Sequence, residues 1–207
     1  MNKLLLALSL SAALGAVSVD VQAAPVDLST WLALGDSQVS VATAKVTTAF
    51  TDETAVGSGA LDINALESQL NTPSGTLGAN AYEGSALSQS FNLASSSTLS
   101  FNWTLGTDIF DAGFADLAFV LIDGTLLLPL ANVTATELSG AFNYTFSAGA
   151  HTLAFGVVDV NDVDGVSTLS VSDVNLVSGT AVPEPGSLAL MLAGLGLLAW
   201  RARRHAG

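Results

Sequence analysis

No cysteine occurs in the 207 residues, and residues 24–182 contain one lysine (Lys45), one histidine (His151) and no arginine. The missing thiols exclude a disulfide scaffold, a thiol nucleophile and cysteine-ligated zinc or iron–sulfur sites. The missing cations exclude nucleic acid as a partner, because no basic patch is there to meet phosphates. Of the eighteen Asp and Glu residues only Asp20 and Glu184 lie outside this stretch. That leaves sixteen carboxylates against one lysine, a net charge close to −15. Such a surface repels anionic lipid and anionic polysaccharide unless a divalent cation sits between them. Charged residues are only 11% of the chain and hydrophobic ones 50%, and much of the apolar content sits at the two ends.

Residues 1–23 have a basic start at Lys3, an apolar run from Leu4 to Val17 and small residues at Val21 and Ala23. This is the pattern of a secretory signal peptide cleaved between Ala23 and Ala24 and delivered through the Sec export machinery. At the other end Pro183-Glu184-Pro185 is followed by the apolar stretch Leu188–Trp200 and by Arg201, Arg203 and Arg204. Thirteen helical residues reach about 20 Å, short of the ~30 Å hydrocarbon core, and the arginines form a basic stop on the cytoplasmic side.

Motif, apolar helix and arginine-rich end together resemble the PEP-CTERM sorting signal of Gram-negative bacteria. The resemblance implies export, transient insertion of Leu188–Trp200 in the inner membrane and recognition by an exosortase. It also implies cleavage near Pro183-Glu184-Pro185 and a place at the cell surface or in the extracellular matrix. The expected organisation is a signal peptide (1–23), an ectodomain (24–180) and a sorting signal (181–207).

Within the ectodomain the hydrophobic period is two. Leu99, Phe101, Trp103 and Leu105 alternate with Ser100, Asn102 and Thr104, Phe142, Tyr144 and Phe146 share one parity, and so do Leu153, Phe155 and Val157. These are half-buried antiparallel strands. Leu117–Ile122 is apolar on both faces, as in a central strand, and Asp123-Gly124 signals a tight turn. Further strands are expected over 38–42, 46–50, 88–93 and 167–177, and one helix over Ile63–Leu70 capped by Asp62. Eight or nine short strands predict an all-β fold, a single jelly-roll-like β-sandwich flanked by a signal peptide and a C-terminal sorting helix. Trp31, Gly35-Asp36, Tyr82-Glu83-Gly84-Ser85, the Leu99–Trp103 strand, Asp116–Val120 and Gly156–Asp159 are also similar to a recurrent ectodomain of PEP-CTERM proteins. That resemblance implies a jelly-roll-like surface domain, broadly similar in pattern to carbohydrate-binding modules.

No catalytic residue is assigned. Gly35-Asp36-Ser37 imitates the first block of a serine esterase, but that chemistry needs an Asp-x-x-His, and Ala148 stands three before His151. Asp108, Asp111 and Asp116, with Glu83 or Asp123, are candidate glycosidase pairs, set against ordinary solvated turns. Three Asn-x-Ser/Thr triplets, at Asn102, Asn132 and Asn143, are about as many as chance provides. Trp31 and Tyr82 remain open as sugar-stacking rings, whereas the parity of Trp103 puts it in the core. The densest oxygen cluster is Asp159-Val160-Asn161-Asp162-Val163-Asp164-Gly165. A parity change near Ser172 indicates a β-bulge that sets Asp173 on or beside the inward face. Asp159, Asp162, Asp164 and Asp173 are therefore the candidate ligands of a structural calcium. The leading expectation is an exported, non-enzymatic surface or matrix protein contacting polysaccharide with calcium. The alternatives are a membrane-anchored module that keeps its C-terminal helix and a secreted carbohydrate-active enzyme.

Overall fold

A computed structural model describes residues 23–50 and 55–179, together with Gly194 and Arg201. The expected signal peptide up to residue 22, the Pro183-Glu184-Pro185 motif, the Leu188–Trp200 helix as a whole, Arg203 and Arg204 lie outside the described residues. At the expected cleavage point Ala23 and Ala24 are both exposed. In chain order the strands are β1 (Ala24–Pro25), β2 (Leu32–Leu34), β3 (Ser37–Val39), β4 (Thr43–Thr47), β5 (Leu61–Asp62) and β6 (Ala81–Leu93), followed by β7 (Ser97–Thr107), β8 (Leu117–Ile122), β9 (Leu126–Asn132), β10 (Leu138–Phe146), β11 (Gly149–Val160) and β12 (Ser167–Ser178). The one α-helix among them, α1, spans Ile63–Gln69.

The strands form two antiparallel sheets. The first has the order β10-β7-β12-β4-β3 with β1 also on β12, and the second β2-β6-β11-β8-β9 with β5 also on β6. The chain passes between the sheets at β1–β2, β2–β3, β4–β5, β6–β7, β7–β8, β9–β10, β10–β11 and β11–β12, which is the jelly-roll-like winding expected from the strand pattern. The alternating residues meet between the sheets: Leu99, Phe101 and Leu105 of β7 and Leu169 and Val171 of β12 face Leu153, Phe155 and Val157 of β11. Trp31 joins this core, 5.9 Å from Phe91 edge-on and 5.4 Å from Phe155, so it is no sugar platform. Trp103 packs against the same core, and a Cβ at Gly140 would come within 2.6 Å of its indole.

A second core lies on the outer face of the second sheet. Ala86, Phe119, Leu121, Ala154 and Val158 turn away from the first sheet and are covered by Leu66 of α1 and by Leu77. This explains the unbroken apolar run of β8, which buries both its faces. The Asp62 side chain caps α1 by accepting from the Asn64 N–H at 2.9 Å. The buried Glu67 carboxylate accepts from the N–H groups of Gly75 and Leu77 at 2.8 and 2.9 Å, and so holds Leu77 over the sheet.

Several boundaries differ from the sequence reading. β3 ends at Val39 and β4 starts at Thr43, instead of spanning the expected 38–42 and 46–50, because Ser40 closes a turn between them, its N–H donating to Thr43 O and its hydroxyl accepting from Thr43 N–H. β6 starts at Ala81 rather than Ser88, since Glu83–Leu87 is buried on both faces beneath α1 and shows no alternation. The bulge in β12 is present, with the register shifting between Ser172 and Asn175. Asp173, however, has φ +53° and an exposed side chain. The bulge turns it outward, not inward.

Because Leu66 is fully buried, Leu66→Ala removes the plug of the second core. It is expected to cost about 2–5 kcal/mol. Leu126→Ala, at a position 43% exposed, is expected to stay within about 0.5 kcal/mol. Denaturant unfolding of the two variants measures the contrast.

Candidate functional site

Covering the second sheet leaves the outer face of the first sheet open to solvent among the described residues. Strand pairing sets its side chains in rows. Gln38 stands opposite Lys45, Lys45 opposite Ser170, Ser170 opposite Thr104 and Thr104 opposite Ser139, one residue from each of β3, β4, β12, β7 and β10. The next row places Thr43, Ser172, Asn102 and Ala141 side by side. The face is a groove of about 670 Å³. Across Lys45 it meets a second hollow of about 360 Å³ that includes Thr47, Thr107, Asp108, Glu137 and Thr168.

The two rows differ in how their polar groups are used. In the second, Ser40 and Thr43 bond each other, and the Asn102 amide and Ser172 hydroxyl donate to Asp173 at 3.0 and 3.2 Å. In the first, none of the five side chains makes a hydrogen bond or ion pair with another described residue. Their backbone groups serve the ladder, so hydroxyl, amide and ammonium groups all point to solvent ready for a partner. The sequence reading saw Ser100, Asn102 and Thr104 only as the solvated side of a strand, which is what a hydroxyl-rich alternation ordinarily means. The available signal was the solitary lysine.

The other candidate residues are engaged in holding the fold. Asp36 is buried, and its carboxylate accepts from the Thr47 hydroxyl and from the N–H groups of Val56, Gly57 and Gly59. Burial pulls this carboxyl up, but the Thr47 hydroxyl and the three N–H donors outweigh it and hold it below the usual range. The Gly35-Asp36-Ser37 segment is thus an anchor for the 55–59 loop and no nucleophile turn. Asp108 accepts from Val166 N–H at 2.6 Å and Asp111 from Gly113 N–H at 2.9 Å. Asp123 accepts from Thr152 N–H and pairs with His151 at 2.9 Å. Tyr82 is exposed but does not line the groove.

The four candidate calcium ligands do not converge. Asp173 is tied to Asn102 at the groove rim, Asp162 and Asp164 sit in the turn after β11, and Asp159 is fully buried on β11. Among the described residues no three acidic or imidazole side chains form a metal-holding group. Asp159 instead faces Asp116, which is itself held by the Ser167 hydroxyl and the Val160 N–H. Neither Asp159 oxygen has a hydrogen-bond partner. Burial and then the Asp116 charge push its carboxyl up to about 9, with the Glu83 charge adding to the rise. In this environment the carboxyl keeps its proton at neutral pH.

Residues 181–204 match the PEP-CTERM protein-sorting motif, so the chain carries an export and sorting tag. No curated protein matches the chain. Among solved structures it is similar to the N-terminal cellulose-binding domain of Cellulomonas fimi β-1,4-glucanase C, at 14% identity, 73% of this chain, 90% of that one and a TM-score of 0.34. It is also similar to TmCBM61 in complex with β-1,4-galactotriose, at 16% identity, 74% and 91% coverage and a TM-score of 0.35. A family 35 carbohydrate-binding module from an environmental isolate gives 14%, 60% and 80% coverage, and 0.30. At these scores the likeness assigns neither ligand nor site to this chain.

The Asp159 proton has a thermodynamic consequence. The folded carboxyl titrates near 9 and the unfolded one near 3.8, so the folded state binds more protons between these values and stability falls as pH rises across that window. Asp159→Asn is expected to flatten the fall and to raise Tm by several degrees at pH 8, with little change at pH 4. Thermal melts of both proteins at the two pH values check this.

Proposed function

We propose that the protein is an exported, non-enzymatic surface or matrix component whose β-sandwich binds extracellular polysaccharide through the open face of its first sheet. The observation that supports this reading is the row Gln38–Lys45–Ser170–Thr104–Ser139, unpartnered and uncovered, in a chain that carries a sorting tag. Four inter-strand gaps of ~4.8 Å make the row roughly 19 Å wide, enough for several sugar units. A glycan offers hydroxyls that both donate and accept, which suits serine, threonine and glutamine side chains. Neutral hydrogen bonds contribute only about 1 kcal/mol each, so single-site affinity falls in the millimolar to micromolar range.

In the same proposal an exosortase recognises the tail, with Pro183, Glu184 and Pro185 as the motif and Arg201, Arg203 and Arg204 as the basic stop, and the mature chain starts at Ala24. Intact mass of the native protein tests this. A species from Ala24 to near Pro183 is expected, whereas one reaching Gly207 would favour the module that keeps its Leu188–Trp200 anchor.

The enzyme alternative needs an acid of raised pKa at the groove. The carboxyls pushed upward are Asp116, Asp159 and Asp162, and none of them lines it. Calcium has a place in the proposal at the turn holding Asp162 and Asp164. There burial and then the charges of Asp116, Asp164 and Asp111 raise the Asp162 carboxyl, a concentration of negative charge that a divalent ion relieves, with carbonyls and water completing its shell. Millimolar calcium is expected to raise Tm over EDTA by a few degrees in the native protein and not in Asp162→Asn. Equal melting temperatures in EDTA and calcium remove the ion from the proposal.

The binding reading itself is tested by affinity electrophoresis of the protein through gels containing neutral and acidic polysaccharides. Retardation by at least one polymer is expected, with its chain length unchanged after prolonged incubation. Ser170→Trp, which fills the groove at its middle, is expected to weaken retardation at least tenfold at unchanged Tm. Retardation by none of the polymers would overturn the reading.

A further inference from the structure

We propose that the groove selects an anionic polysaccharide, with the Lys45 ammonium as the contact for a sugar carboxylate or sulfate. The inference rests on the reading that this face binds glycan, and it adds the ligand's charge.

Lys45 is the only lysine or arginine among residues 24–182, where sixteen carboxylates are available to pair with it. It pairs with none of those described, the single ion pair there being His151 with Asp123. Asp108 and Glu137 line the adjoining hollow with it, yet neither forms an ion pair with it. The register of β4 holds it second in the five-residue row, with Gln38 and Ser170 directly opposite on its two sides. It is also the residue shared by the groove and the adjoining hollow. A ligand lying across the face cannot avoid it.

The surroundings suit an incoming anion. Gln38, Ser170 and Thr104 are uncharged donors; of the acids around the face, Asp173 already accepts from Asn102 and Ser172 and Asp108 from Val166 N–H, while Glu137 lines the adjoining hollow. The repulsion of the domain's remaining carboxylates falls off over about 8 Å at physiological ionic strength. A contact formed directly on the ammonium is not screened in this way. Hydrogen bonds to an ionised partner are about twice as strong as neutral ones. Lysine offers three donors on a flexible stem, which fits an anionic group whose orientation varies along a polymer. Thus the net charge of the whole domain argues against an acidic ligand, while the unpaired ammonium on the open face argues for it. At contact distance the local term decides.

The test compares each acidic polymer with a neutral counterpart: polygalacturonate with its carboxyl-reduced form, and dextran sulfate with dextran. Affinity electrophoresis in EDTA removes any bridging by divalent ions. The native protein is expected to bind at least one acidic polymer about tenfold more tightly than its neutral partner. Lys45→Met is expected to abolish that preference while keeping residual binding and Tm, and Lys45→Arg to restore most of it. Polygalacturonate and dextran sulfate together tell whether carboxylate, sulfate or either is taken. Equal affinity for acidic and neutral forms, or a preference that survives Lys45→Met, overturns the inference and leaves glycan binding standing. Binding to no polymer, acidic or neutral, overturns the underlying reading as well.

Discussion

The second sheet is apolar on both faces, and an apolar face left in water is the costliest surface a fold can carry. β8 and β11 bring Val120, Phe155 and Val157 to one side and Phe119, Leu121, Ala154 and Val158 to the other. They must be covered twice. The first sheet covers one side, and α1 with the loop of Leu77 covers the other. Among the described residues no further layer is present, so the outer face of the first sheet is left as the broad open surface, and its composition follows. Serine, threonine, asparagine, glutamine and a single lysine stand where leucine or phenylalanine would create an adhesive patch. The groove is thus a consequence of where the fold spends its apolar residues.

The shortage of cations shapes the rest. A buried carboxylate ordinarily needs a positive partner, and this domain has almost none to give. Asp36 and Glu67 are held instead by N–H groups, with the Thr47 hydroxyl added at Asp36, and each one pins a loop in doing so. Asp116 draws on the Ser167 hydroxyl and the Val160 N–H, and Asp159 keeps its proton. Every one of these solutions works without Lys45. The lysine is therefore surplus to the internal electrostatics.

How much of this could be read from the sequence depended on the range of the cause. Leu99–Leu105 and Leu153–Val157 declare themselves by alternation, β8 by its continuous apolar run and α1 by the Asp62 cap. Each of these is local. The bulge in β12 was visible as a change of parity, but parity cannot say which way a residue in the left-handed region points, and Asp173 points outward. The early part of β6 was hidden because burial on both faces erases the period that marks a strand. The Asp116–Asp159 pair was invisible. An acid on β11 and one just ahead of β8 meet only through the register of those two strands, and local chemistry around Asp159 suggested a metal turn instead. The groove was half legible, since its polar positions could be assigned to a face while the openness of that face depended on where α1 packs.

Geometry also relates the groove to the sorting tag. The β1 pairing of Ala24 with Leu176 and the Gly179 N–H bond to Ser96 O place both ends of the described domain at one end of the sandwich. The Asp108–Phe114 loop and the turn after β11 lie at the other end, along the length of β7 and β12. An attachment through the C-terminal side would therefore hold the strands pointing away from the attachment point, with the groove on the flank. Neighbouring copies would present parallel grooves to a polymer running past them. Contacts of about 1 kcal/mol each are weak singly, but a chain held by several copies gains the effective-concentration advantage of multivalency. The outward rows of this face carry hydroxyl, amide and ammonium groups, and Trp103, which also lines the groove, packs against the core; the proposed binding asks of them only weak contacts repeated along a polymer.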